Sequence, residues 1–212
     1  MNKTSLLPLA LAFALAGCGS KEATPDPSTS TPAAPGATSG AAAAPVPTAA
    51  TPAAPSSVDR KLAAAYPGTE DGAKKLLSQF LAPATDKKAL TAALRPDTAD
   101  YQAIFTPELA AKIEASQAKM WASGEGIGAK DDQTELLLSS ATADDFKAGN
   151  DKADKFPGGY KKLVGKLKPG VVLYRWKFVK PGSTIGMAYD GLAHVNGHWV
   201  FIPKPWRDAG EP

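Results

Sequence analysis

Cysteine is nearly absent from this chain: of 212 residues, Cys18 is the single one. One cysteine excludes an internal disulfide, so the folded part must be held by its core, and it excludes a cysteine-rich zinc centre. Histidine is almost as scarce, with two residues, His194 and His198. Neither charge sign dominates, since 24 Lys and Arg stand against 21 Asp and Glu for a net of +3. No Gly-x-Ser-x-Gly elbow is present, which removes the usual serine-hydrolase signature. Long hydrophobic runs are also lacking. The stretch Leu6 to Ala16 spans 11 residues, and a bilayer-crossing helix needs about 20.

That short apolar stretch follows Lys3 and is broken in character only by Pro8, the layout of an export signal. It closes on Leu15-Ala16-Gly17-Cys18. The run resembles the lipobox of bacterial lipoproteins. The resemblance implies a diacylglyceryl group on the Cys18 sulfur, cleavage between Gly17 and Cys18, and a further acyl chain such as palmitate on the new amino group. Residues 1–17 are then a signal peptide, and the membrane is a partner through covalent lipid on Cys18. Gly19 stands where an Asp would favour inner-membrane retention. The expected address is therefore the outer membrane of the cell envelope, with the domain in the periplasm or at the cell surface. The alternative is a plain secretory signal that leaves Cys18 as a free thiol. An exported protein is not expected to meet nucleic acid.

Residues 18–57 read as the lipidated cysteine plus a disordered linker. Positions 19–57 hold eight prolines and twelve alanines, with Ser, Thr and Gly, and no aromatic, Leu, Ile or Met. Such a segment cannot bury enough apolar surface to offset its ordering entropy. As a flexible coil it spans roughly 35 Å, and fully extended as polyproline II about 120 Å. It serves as a spacer, or threads the cell wall.

Residues 58–212 suffice for one globular domain with a sizeable core. Thr69 predicts an N-cap followed by acidic Glu70 and Asp71, and Ala73, Leu76, Leu77, Phe80 and Leu81 share one helical face. Further helices are expected over 87–94, 98–105 and from Pro107 to Gly124, the last with Leu109, Ile113, Met120 and Trp121 on its inner face. The period then changes to two. Strands are expected over 134–141, 172–179, 184–195 and 198–202, with turns or short helical pieces between the first two. Asn196-Gly197 is a strong two-residue hairpin signal. Helices first and a mainly antiparallel sheet after them give an α+β class. In outline, residues 69–203 resemble the NTF2-like (cystatin-like) cone, whose helices close over a curved sheet. The irregular stretch 142–168 departs from that family.

Asp190, His194 and His198 invite a catalytic or metal reading, and hairpin geometry argues against it. Val195 should pair with His198 and His194 with Trp199, which turns the two histidines to opposite faces. Asp190 and His194 should share a face but stand about 13 Å apart, beyond the roughly 3 Å reach of a general-base pair. No catalytic residue, metal ligand or cofactor is assigned. Gly124-Glu125-Gly126-Ile127-Gly128 follows a helix, so it reads as a connecting loop rather than a phosphate cradle. Between Lys155 and Lys180 eight residues are basic and none acidic. Within this run Lys161, Lys162, Lys166, Lys168 and Lys177 form a candidate basic surface for an anionic envelope polymer or an envelope protein. Tyr174, Trp176, Tyr189, Asp190 and Trp199 are the candidate lining of a pocket, and Lys204-Pro205-Trp206-Arg207 a terminal strap. The expected function is that of a lipid-anchored envelope protein acting as a non-catalytic binding or structural module. The alternative is an NTF2-like enzyme or small-ligand binder.

Overall fold

A computed structural model describes residues 57–210. The leader, the Gly17–Cys18 bond and the linker through residue 56 lie outside the described residues. The fold is α+β: among the described residues five α-helices precede the first strand, and four strands form one antiparallel sheet.

Local chemistry sets the helix starts. Helix α1 covers Ser57–Ala64 and α2 Glu70–Ser78. Thr69 Oγ1 accepts the Gly72 N–H at 3.2 Å, satisfying a donor that has no partner within the helix. Asp86 caps α3 (Lys87–Ala93) by accepting from Lys88 and Ala89, each at 3.0 Å. Asp97 and Asp100 form a reciprocal capping box at the start of α4 (Thr98–Ile104). Pro107 occupies the first turn of α5 (Pro107–Ser123), where its missing N–H costs nothing, and left-handed Gly124 ends it. Thr106 precedes α5 in an N-cap position without a side-chain hydrogen bond.

Strand β1 (Glu135–Thr142) runs straight into α6 (Ala143–Ala148), because Thr142 and Asp145 form a second capping box. The irregular stretch beyond it contains 3₁₀ turns at Ala153–Lys155 and Gly158–Leu163. Strands β2 (Val172–Val179), β3 (Gly186–Val195) and β4 (His198–Phe201) complete the sheet in the order β1-β2-β3-β4. The hairpin closes on Asn196 and Gly197 with φ of 51° and 79°, the positive values that a type I′ turn requires.

Both sheet faces are covered. Tyr174, Trp176, Phe178, Leu192, Trp199 and Phe201 pack with Leu76, Leu77, Phe80, Leu90 and Leu94 from the α2–α3 region. On the other face Ala141, Leu173, Ala193 and Val200 meet Tyr101, Ile104, Leu109 and Ile113 of α4 and α5, with Phe146, Phe156 and Tyr160. Each large apolar side chain fully buried in this way contributes about 1.5–3 kcal/mol. The terminal strap packs back on the domain: Trp206 lies against Gly159, whose missing Cβ would stand 2.4 Å from the indole.

One residue of β3 alters the expected alternation. Arg175 pairs with Asp190 and Tyr174 with Leu192, so Gly191 is an unpaired bulge with φ +98°. Asp190 therefore shares a face with Ala193 and Val195, while His194 joins Leu192 and Trp199. The expected common face for Asp190 and His194 is overturned, because the ladder skips Gly191 and shifts the alternation by one residue.

Asp145 gives the fold an acid-sensitive point. The Asn150 side-chain amide, then the Thr142 backbone and hydroxyl, hold its carboxyl at about 2. A carboxyl lowered in the folded state stabilises above its unfolded value near 4, and loses that contribution as pH falls toward 2. Asp145→Asn should thus lower the unfolding midpoint at pH 7 and flatten its decline between about pH 4 and pH 2. Denaturant melts of both proteins at pH 7 and pH 2 measure this, and parallel declines would contradict it.

Candidate functional site

The unequal lengths of β3 and β4 create a concavity. Strand β4 pairs with Leu192–Val195. Among the described residues, no strand pairs with Gly186–Asp190 on that side. A half-open groove of about 290 Å³ follows this bare edge. Met187, Ala188, Tyr189 and Asp190 all line it. Successive strand side chains point to opposite faces, so four consecutive lining residues mean that the groove runs along the backbone edge. Met120 and Trp121 from the end of α5 and Gly126 and Ile127 from the glycine loop line it as well, together with Phe201, Pro203 and Lys204.

The polar groups around the groove are held by structural bonds. The Tyr189 hydroxyl donates to the Gly128 carbonyl at 2.8 Å and accepts the Gly128 N–H at 3.0 Å, pinning the loop to the sheet. Thr91 Oγ1 accepts the Ile127 N–H at 2.9 Å and donates to the Lys87 carbonyl at 2.7 Å. Asp190 is 8% exposed, and its Oδ1 accepts from the Tyr160 hydroxyl at 2.8 Å and the Lys204 N–H at 3.3 Å. Lys204 holds this position with φ +50°, a costly conformation for a residue with a Cβ. Burial, then the negative charge of Asp190, raises the Tyr160 hydroxyl well above its ordinary value. It remains a protonated donor across the physiological range. None of these bonds pairs a nucleophile with a base.

Tyr160→Phe removes one donor from a buried carboxylate without changing the packed ring. The expected cost is about 1–3 kcal/mol, read as a lower denaturation midpoint at unchanged slope. A wild-type midpoint would contradict the assigned bond.

The candidate pocket residues separate into two groups. Tyr174, Trp176 and Trp199 are 5%, 1% and 0% exposed and belong to the core against α2 and α3. They do not ring a cavity beneath the sheet. Trp199 Nε1 donates to the Tyr66 carbonyl at 3.0 Å, and Trp176 stacks on Tyr189 at 5.2 Å between centroids. Tyr189 and Asp190 do reach the groove, from opposite sides of β3. The groove residues missed in the sequence, Met120, Trp121, Ile127 and Met187, sit on three separate elements. Their one available signal was the mismatch between a long β3 and a short β4.

The basic residues are also divided. Lys161 and Lys168 are exposed, and Lys162 is partly so. Lys166 donates to the Ala209 carbonyl and fastens the C-terminal strap. Lys177 lies on the sheet with Arg175, away from the strap. The histidines face opposite ways, as the hairpin register requires. His194 meets the Trp199 ring edge-on at 5.1 Å, and burial followed by the nearby His198 lowers its basicity. His198 Nε2 is 3.1 Å from Asp100 Oδ2 and Nδ1 is 3.2 Å from the Asn196 carbonyl. Asn196 Nδ2 donates to Asp100 Oδ1 at 2.8 Å. This buried network ties the hairpin to α4.

Among the described residues no group of three or more His, Cys, Asp or Glu side chains is placed to hold a metal ion, and no helix is long and apolar enough to cross a membrane. No family model, no curated protein and no solved structure matches the chain.

Proposed function

We propose that this protein is a lipid-tethered module of the cell envelope that captures an extended polypeptide segment without catalysis. The bare edge of β3 at Met187–Asp190 carries this reading. An unpaired edge inside a groove offers backbone N–H and C=O groups to an added strand, whose alternate side chains meet the groove walls. Met120 and Met187 suit a variable apolar sequence, since methionine adapts its shape. The lipobox at Leu15–Cys18 supports the tether, and the linker supports reach from a lipid surface.

The test uses the lipidated full chain in detergent and a panel of capped hexapeptides alternating Val or Leu with Ser. Binding on the order of 0.1 mM, about −5.5 kcal/mol, is expected for the best of them. N-methylation at alternate positions should abolish it, because it removes the donors of the added strand. Met187→Asp should weaken it at least tenfold. Met187 is 40% exposed, so this change leaves the core intact. Equal binding of N-methylated peptides, insensitivity to Met187→Asp, or no binding across the panel would contradict the proposal.

A further inference from the structure

A second concavity lies on the β1–β2 part of the sheet and differs from the groove in character. Arg175 and Lys177 stand on the Leu173 face of β2, beyond the part that α4 and α5 cover. Ser139 lies directly opposite Arg175, and Leu137 directly opposite Lys177. These four, with Lys155 and Thr184, border a half-open cleft of about 240 Å³. Three of its side chains are cationic and none is acidic.

No carboxylate lines the cleft, although Asp190 stands in register opposite Arg175 on the same sheet face. Lys177 Nζ donates to the Thr184 carbonyl at 3.1 Å, which fixes its position and leaves further N–H donors. Among the described residues the side chains of Arg175 and Lys155 make no hydrogen bond or ion pair. Two carboxylates share this face and are otherwise engaged. Asp190, paired in register with Arg175, accepts from Tyr160 and Lys204. Glu135 accepts the Gly182 N–H at 3.2 Å. Three like charges around one small concavity repel one another, and an anion bound between them reverses the sign of that energy.

We propose that the Lys155–Arg175–Lys177 cleft is a binding site for a phosphate group carried by a phosphate ester. A carboxylate brings one charge and two oxygens and leaves cations unmatched. A phosphate monoester brings nearly two charges and three equivalent oxygens. The Arg175 guanidinium suits two of these as a planar fork, the lysines act as point charges, and Ser139 adds a hydroxyl donor. Leu137, 39% exposed at the rim, provides an apolar surface for the body of the ester. The same chemistry is offered by a soluble phosphate ester and by a lipid headgroup. This site is independent of the β3 edge, so either can fail without the other.

The experiment follows the full lipidated chain in neutral phosphatidylcholine vesicles by thermal unfolding and amide spectra. Inorganic phosphate, pyrophosphate and glycerol 3-phosphate are added against chloride of equal ionic strength. Saturable stabilisation is expected, with shifts at Ser139, Arg175 and Lys177. Arg175→Gln should weaken binding at least tenfold. Lys155→Gln, at an exposed position, should weaken it severalfold with the free-state melting temperature unchanged. Vesicles containing phosphatidic acid form the second arm. Shifts at these residues that glycerol 3-phosphate reverses indicate a headgroup, and shifts with the soluble esters alone indicate a soluble ligand. Stabilisation equal in wild type and Lys155→Gln, or no response to any phosphate, would overturn the proposal.

Discussion

Gly191→Ala is expected to destabilise the domain by about 4 kcal/mol, the sum of two separate penalties. Gly191 holds φ +98°, and a Cβ built there stands 1.9 Å from the Ile202 carbonyl oxygen. The backbone conformation costs an L side chain about 1–3 kcal/mol. The steric conflict costs a further 1–3 kcal/mol, because the obstacle is backbone and cannot rotate away. Ile202 also donates its N–H to the Gly191 carbonyl at 2.8 Å, so moving the chain apart sacrifices a hydrogen bond. Gly124→Ala is the internal comparison. Gly124 has φ +66° with nothing within 4 Å of the added carbon, and should cost about 1–2 kcal/mol from strain alone. Chemical denaturation of the two variants measures the difference. Equal costs would mean that the bulge relaxes freely. Since Gly191 joins the bare edge at Met187–Asp190 to the part of β3 that β4 pairs with, its replacement should also weaken peptide capture.

Cys18→Ala is expected to move the protein almost entirely from the membrane to the soluble fraction. No described helix is long and apolar enough to cross a membrane. In the lipoprotein reading the attachment rests on acyl chains, each buried methylene contributing about 0.8 kcal/mol. One chain gives marginal, reversible binding, while two or three give stable anchoring. Removing the sulfur removes the attachment point of the diacylglyceryl group. The local basic cleft contributes about 1 kcal/mol per charge near an anionic surface, too little to replace the chains. Fractionation in low and high salt checks this. A variant that stays with the membrane in both would place the attachment elsewhere.

The sequence was most informative where chemistry is local. Thr69, Pro107 and Gly124 mark helix ends through bonds or dihedrals within a few residues, and the helices lie where these signals put them. Asn196-Gly197 set the hairpin register, and through it the opposed faces of His194 and His198. The bulge was not legible. Nothing local separates Gly191 from an ordinary strand glycine, and its role comes from the close approach of Ile202, which follows β4 on the other arm of the hairpin. The aromatic strand alternates as its sequence predicts, but periodicity does not tell a buried face from a cavity wall. Helices α2 and α3 had to be placed before Tyr174, Trp176 and Trp199 became core. Charge behaved likewise. The run from Lys155 to Lys180 is visible as composition, whereas the grouping of Lys155 with Arg175 and Lys177 needs the sheet register.

The mature N-terminus tests the account most directly. Intact-mass and fragment spectra of protein taken from the membrane fraction should show a chain that begins at Cys18. A diacylglyceryl thioether should sit on its sulfur, an acyl group on its nitrogen, and residues 1–17 should be gone. An unmodified Cys18, or a freely secreted chain cut at a different bond, would contradict it.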